Sequence, residues 1–273
     1  MNKQNNVESF HVPTVSAIAI VIYAFSNMLH EGAGHGLACV IVGGKPLALS
    51  SVYFDGDTTG LPEWTNRFIA SAGTIVNFFA ALIAFGISRT AKIQSPNIKF
   101  ALILFTAVNL LQATGYFLFS GVAGIGDWAV VVNGLQYSWA WRIVLAIAGG
   151  LSYWWSVKFI FKSFDPFIGN DRTVRFQRAK TLAFISYFTG GILHFVSGIL
   201  NPLGFMLVAS SAIPATFGGT SGLLWGMQFL HNPKMVTTTT KPMGIAKNYA
   251  WMIAGGIVML IFVFILGPSI KFR

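Results

Sequence analysis

Long apolar runs recur from one end of this chain to the other, and they fix its fold class before any motif is read. They lie at about residues 12–42, 68–88, 100–120, 137–161, 181–200, 203–229 and 249–267. Several exceed the ~18–20 residues that a helix needs to cross a bilayer. Only 10% of the 273 residues are charged, against roughly 25% in a soluble domain. That is too little charge to cover a water-facing surface. The runs lack the every-second-residue alternation of a β-barrel strand. The expectation is an all-α, polytopic membrane protein of about six to seven transmembrane helices, six if one run is re-entrant.

The charge pattern orients the chain. Basic residues gather in alternate loops: Arg89, Lys92 and Lys99 in one, Arg172, Arg175 and Arg178 in the next, Lys234, Lys241 and Lys247 in the third. This bias places the N-terminus in the cytoplasm and the C-terminus outside, although Lys271 and Arg273 run against the second assignment. It also makes the lipid bilayer, rather than nucleic acid, the partner of the +10 net charge. A bacterial inner membrane is the expected location. A single cysteine, Cys39, rules out an intrachain disulfide. The first run is too long for a cleaved signal peptide. Three regions result: a polar tail at 1–11, a core at 12–130, and further helices with basic loops at 131–273. The stretch "LALSSVYFDGD" reads as strand-like, with a turn at Asp55-Gly56.

Few ionisable groups fall within the runs. Glu31 and Asp127 are the two acids at membrane depth, and His30, His35 and His194 are the histidines. A charge at the bilayer centre costs a few kcal/mol or more, so each such group needs a partner or a task. His30, Glu31 and His35 lie within "HEGAGH" in the first run. Imidazole and carboxylate are zinc ligands, and a catalytic zinc takes three protein ligands and leaves a place for water. Asp127, after Gly126 on a glycine-rich break, is the candidate third ligand; the competing reading is a cap for a helix starting near Trp128. For the histidine cluster, the competing reading is polar glue between helices.

Three segments resemble the site-2 protease family of intramembrane zinc metalloproteases. They are "HEGAGH" at 30–35, "AGTIVN" at 72–77 and "GYFLFSGVAGIGDW" at 115–128, in the family's order and within residues 12–130. The resemblance implies a site-2-protease-like core in the first three spans, with one zinc held by His30, His35 and Asp127. It implies Glu31 as general base and Asn77 as a residue that positions substrate or the metal site. Membrane-embedded proteins would be the substrates. No PDZ-like insertion is present.

Two departures stand out. The family spacing H-E-x-x-H is here H-E-x-x-x-H, and its Leu-Asp-Gly is here Gly-Asp-Trp. A spacing of five turns the second histidine ~140° from the first on a regular α-helix. A π-bulge would realign them, with Gly32 and Gly34 making the backbone permissive. Alternatively the helix stays regular, Glu31 and His35 share a face as ligands, and His30 stands outside. The chain would then bind metal without proteolysis. A non-catalytic membrane subunit is the main rival function: it would scaffold a larger complex, or ligate a metal, haem or pigment through an intramembrane histidine. A proton or ion transporter is a third, weakened by the lack of an internal repeat.

Elsewhere, His194 reads as a satisfied buried histidine. "IPATFGGTSGLLW" at 213–225 reads as a packing face rather than a broken helix near the site, and "YWW" at 153–155 as an interface belt.

Overall fold

A computed structural model of the chain describes residues 9–90, 92–203, 208–232 and 239–272. Most of the expected polar tail, Lys234, Arg273 and residues 204–207 of the sixth run lie outside them.

The first run is one continuous helix in three parts: α1 (Val12–Met28), a π-helical segment (Leu29–Gly36) and α2 (Leu37–Ile41). A hairpin follows, β1 (Lys45–Leu49) and β2 (Phe54–Asp57). Then come α3 (Glu63–Ser88), α4 (Pro96–Ala123), the short α5 (Asp127–Val132), α6 (Ser138–Ser163), the short α7 (Asp165–Ile168) and α8 (Arg172–Ile199). A π segment (Val208–Gly218), the four-residue α9 (Gly222–Trp225) and a 3-10 turn (Gly226–His231) lead to α10 (Tyr249–Leu260) and strand β3 (Ile270–Lys271). Five helices are long and apolar enough to cross a membrane: Val12–Ile41, Glu63–Ser88, Pro96–Ala123, Ser138–Ser163 and Val174–Ile199. The chain is thus mainly helical and built for a bilayer.

The helix starts are written in the sequence. His11 caps α1 by accepting from the Thr14 amide, and Ser95 and Asn248 do the same for α4 and α10. Pro13 and Pro96 occupy first-turn positions, where a missing N–H costs nothing. Helix α4 is central, with 67% of its most apolar stretch buried inside the protein, while α3 and α6 have 33% and leave outer faces suited to lipid. Close approach relies on small residues, as is usual between helices in a membrane. A Cβ on Gly149 of α6 would lie 2.2 Å from the Leu118 nitrogen of α4.

Contacts at the ends sort the chain into two faces. Phe10 bridges Ile245, and Met243 donates to Pro166 O, so the N-terminus shares a face with the basic segments around 165 and 243. On the other face β3 pairs with β1, giving the sheet order β2-β1-β3. The described residues of 201–231 have their two ends at opposite faces. Asn201 donates to Gly267 O at one, and Leu230 O accepts from buried Arg175 at the other.

Three sequence readings change. The hairpin turns at residues 50–53, where Ser50 Oγ accepts from the Val52 and Tyr53 amides, and Asp55-Gly56 lies within β2. The sixth run is a broken path rather than one helix. Tyr153 is not part of an interface belt: it is 6% exposed, while Trp154 and Trp155 are 49% and 58% exposed. Its hydroxyl donates to Gly219 O and accepts from the Gly222 amide. Tyr23 donates to Thr220 and Tyr187 to Phe217 O. Tyr153 and Tyr187 thereby satisfy irregular backbone within 217–222, which lipid could not, and Tyr23 holds the Thr220 hydroxyl in the same stretch.

Candidate metal centre

The expected motif residues meet at the π segment. Here the backbone takes the bulged course rather than the regular one: the Leu37 amide bonds Gly32 O, five residues back. That pitch brings residues five apart onto one face. The His30 and His35 rings stand edge to face with centroids 4.7 Å apart and Nε2 atoms 3.1 Å apart. The regular-helix alternative, with His30 turned away, is not formed.

Helix α3 holds this pair from one side. A Cβ on Gly34 would lie 2.5 Å from Gly73 Cα, and a Cβ on Gly73 would lie 2.7 Å from both histidine Nε2 atoms. Only glycine at these two positions allows so close a crossing. Ile69 O lies 2.7 Å from His35 Nδ1 and accepts its proton. Two turns further along α3, Asn77 Nδ2 reaches His30 Nδ1 at 3.2 Å and Gln112 Oε1 of α4 at 3.2 Å. Tyr116 stacks on the His30 ring at 5.1 Å.

Asp127 arrives from the other side. Gly124 (φ +68) and Gly126 (φ +88) turn the chain out of α4 through conformations other residues resist. Gly126, not Asp127, occupies the cap position of α5, and no side chain caps that helix. The Asp127 carboxylate points instead at the histidines, with Oδ2 3.1 Å from His30 Nε2 and 3.5 Å from His35 Nε2. Despite that proximity, Asp127 Oδ2 has no well-aligned hydrogen bond among the described residues.

The three atoms form a triangle with edges of 3.1, 3.1 and 3.5 Å. Ligands at zinc distances in a tetrahedron sit about 3.3 Å from one another. With Nδ1–H given to Ile69 O, neutral His35 presents a bare lone pair to a carboxylate oxygen. Such atoms face each other stably with a cation between them, either a metal ion or a proton shared within the group. The group is thus of a size and chemistry that could hold a metal ion.

Glu31 is 6% exposed and lies beside, not in, the triangle. Together with His35, Tyr116, Phe54 and Asp127 it lines a cavity of about 180 Å³. Pro214 and Ala215 also line it, so the 213–225 stretch, read as a packing face, contributes a wall of the site. A second cavity of about 330 Å³ shares Tyr116, Phe119, Pro214 and Ala215, and its lining is otherwise mostly apolar.

His194 lies apart. Its Nδ1 donates to Gly190 O, and its ring meets Tyr23 and Phe262 edge to face. Sequence reading missed Gln112 and Tyr116. Gln112 was detectable in principle, as an uncharged polar residue in the middle of an apolar run; Tyr116 gives no such signal.

No protein-family model, curated protein or solved structure matches the chain.

Proposed function

We propose that the chain is an intramembrane zinc endopeptidase of the site-2 type, hydrolysing peptide bonds of membrane-embedded proteins. The observation that carries this reading is the π segment: it cancels the five-residue spacing and sets two imidazoles and a carboxylate in a triangle of zinc-ligand size. His30, His35 and Asp127 are its ligands. The order of "HEGAGH", "AGTIVN" and "GIGDW" along the chain supports it further.

A zinc bound there would polarise a substrate carbonyl and acidify water. Glu31, on the adjoining cavity, would serve as the base that accepts a proton from attacking water and hands it to the departing amine. The buried position of Glu31 keeps bulk water from competing for the proton. His35 is held in the ligating tautomer by Ile69 O. Asn77 performs the same service for His30 after a half-turn of its amide. The turn sets Oδ1, which now has no partner among the described residues, against His30 Nδ1–H. Gln112, turned likewise, then donates to the same oxygen. Such partners fix the orientation of metal-bound histidines. In this reading the N-terminal face is cytoplasmic, in a bacterial inner membrane. The broken 208–231 path and the Tyr249–Ile265 helix complete a seven-pass chain.

One observation favours the rival, a non-catalytic membrane subunit. With the Asn77 amide nitrogen toward His30 Nδ1, as it stands, His30 carries its proton on Nε2 and shares it with Asp127 and His35. That is a closed polar cluster with no room for a metal.

Metal analysis separates the two. The purified protein should contain about one zinc per chain, and His35→Ala and Asp127→Ala should contain none. Wild-type protein without zinc, prepared free of chelators, refutes the peptidase reading.

A further inference from the structure

The ends of α3, α4 and α6 on the N-terminal face enclose a cavity of about 250 Å³, remote from the histidines. Ser88 and Arg89 line it from α3, Lys99 from the first turn of α4, and Ser163 and Pro166 from the junction of α6 with α7. Phe85 and Ile103 also line it and make it partly apolar.

The two cations are uncompensated. Among the described residues the ion pairs join Asp127 to His30 and His35, and Glu63 to Arg67; none includes Arg89 or Lys99. Asp165, the acid beside the lining residue Pro166, turns its carboxylate to the Thr239 hydroxyl at 3.3 Å. The two serines spend their protons on Phe85 O and Phe159 O. Guanidinium and ammonium are therefore the donors left to face the cavity, and the complementary ligand is an oxyanion.

The surroundings identify its source. Phe85 and Phe159 meet edge to face at 4.7 Å, and Trp155 stacks on Phe159. Residues 155, 159 and 163 share one face of α6, and 82, 85 and 89 one face of α3. Leu82 and Trp155 are 49% and 58% exposed, so an apolar surface runs from the cations toward the bilayer. A free phosphate would have no use for that surface, whereas an acyl chain would lie on it. Basic pockets between helix ends are a known way of holding lipid headgroups.

We propose that this cavity binds the phosphate headgroup of an anionic membrane lipid through Arg89 and Lys99. Native mass spectrometry of the full chain, released from bilayers of equal phosphatidylglycerol and phosphatidylcholine, tests it. Wild type should retain phosphatidylglycerol preferentially, by up to about thirtyfold at about fivefold per basic side chain. The double variant Arg89→Gln/Lys99→Gln should lose most of that preference. The pair Arg172→Gln/Lys180→Gln, exposed on the same face, should keep it. Equal retention by the first double variant overturns the site. Equal loss in the second pair reduces the effect to surface charge and also overturns it. Inorganic phosphate that binds lipid-free protein as tightly as the lipid does would overturn the lipid as the source.

Discussion

Gly73→Ala is the sharpest test of the metal centre, because one methyl group is aimed at two ligand atoms. The added Cβ would lie 2.7 Å from His30 Nε2 and from His35 Nε2, where ordinary contact begins at 3.4 Å. Relief requires a displacement of about 0.7 Å. Neither ring retreats freely: Ile69 O anchors one, and Tyr116 and Asn77 hold the other. Metal–ligand distances tolerate roughly ±0.2 Å. A displacement of this size should cost at least the 10- to 100-fold in affinity seen when ligand-orienting groups are removed, or about 1.4–2.7 kcal/mol. Zinc retention against a graded chelator measures it. Gly86→Ala is the matched control on the same helix, since a Cβ there meets nothing within 4 Å. It should leave zinc affinity unchanged and raise helix stability by up to ~1 kcal/mol. If Gly73→Ala, folded as judged by helix content, holds zinc as tightly as wild type, the metal does not sit between those two nitrogens.

Further outcomes follow from the same geometry. Glu31→Gln should keep zinc and abolish cleavage of a membrane-embedded substrate; surviving cleavage in a matched assay rules Glu31 out as the base. Gln112→Leu should weaken zinc binding by about tenfold while helix content is retained, and unchanged affinity would sever Gln112 from the site. Arg178→Met strands the carbonyls of Phe167 and Met243, both now bonded to the guanidinium. Thermal unfolding in detergent should register a loss of about 2–4 kcal/mol, with Arg178→Lys recovering only part, because a point charge does not reproduce the fork. Tyr153→Phe removes the bonds to Gly219 O and the Gly222 amide and should cost about 1–3 kcal/mol in the same assay.

What the sequence disclosed follows from the range of the forces involved. The five long helices were legible because apolar length and end caps are local properties. His30, Glu31, His35 and Asp127 were legible because ionisable groups in apolar runs are conspicuous. The π course was derivable from a spacing of five with glycines at 32 and 34, yet a regular helix was also allowed until the crossing at Gly73 was known. The turn at Asp55-Gly56 went astray because the pairing of β1 with both β2 and β3 sets the register there, and β3 lies more than 200 residues away. Tyr153 was misjudged for a related reason. An aromatic triplet in an apolar helix looks the same whether its hydroxyl meets lipid headgroups or the backbone of a distant segment.

The tyrosine cradle has a consequence for biogenesis. The stretch 217–222 has polar groups, carbonyls and an amide of its backbone and the Thr220 hydroxyl, that find partners on α1, α6 and α8. Until those three helices are in the membrane and packed, that stretch has nowhere favourable to stay. It should therefore settle late, after the helices that precede it have been threaded and gathered. A defect in any one of the three hydroxyls would appear in cells as slow maturation and early degradation of the newly made chain, ahead of any change in the chemistry of the finished protein.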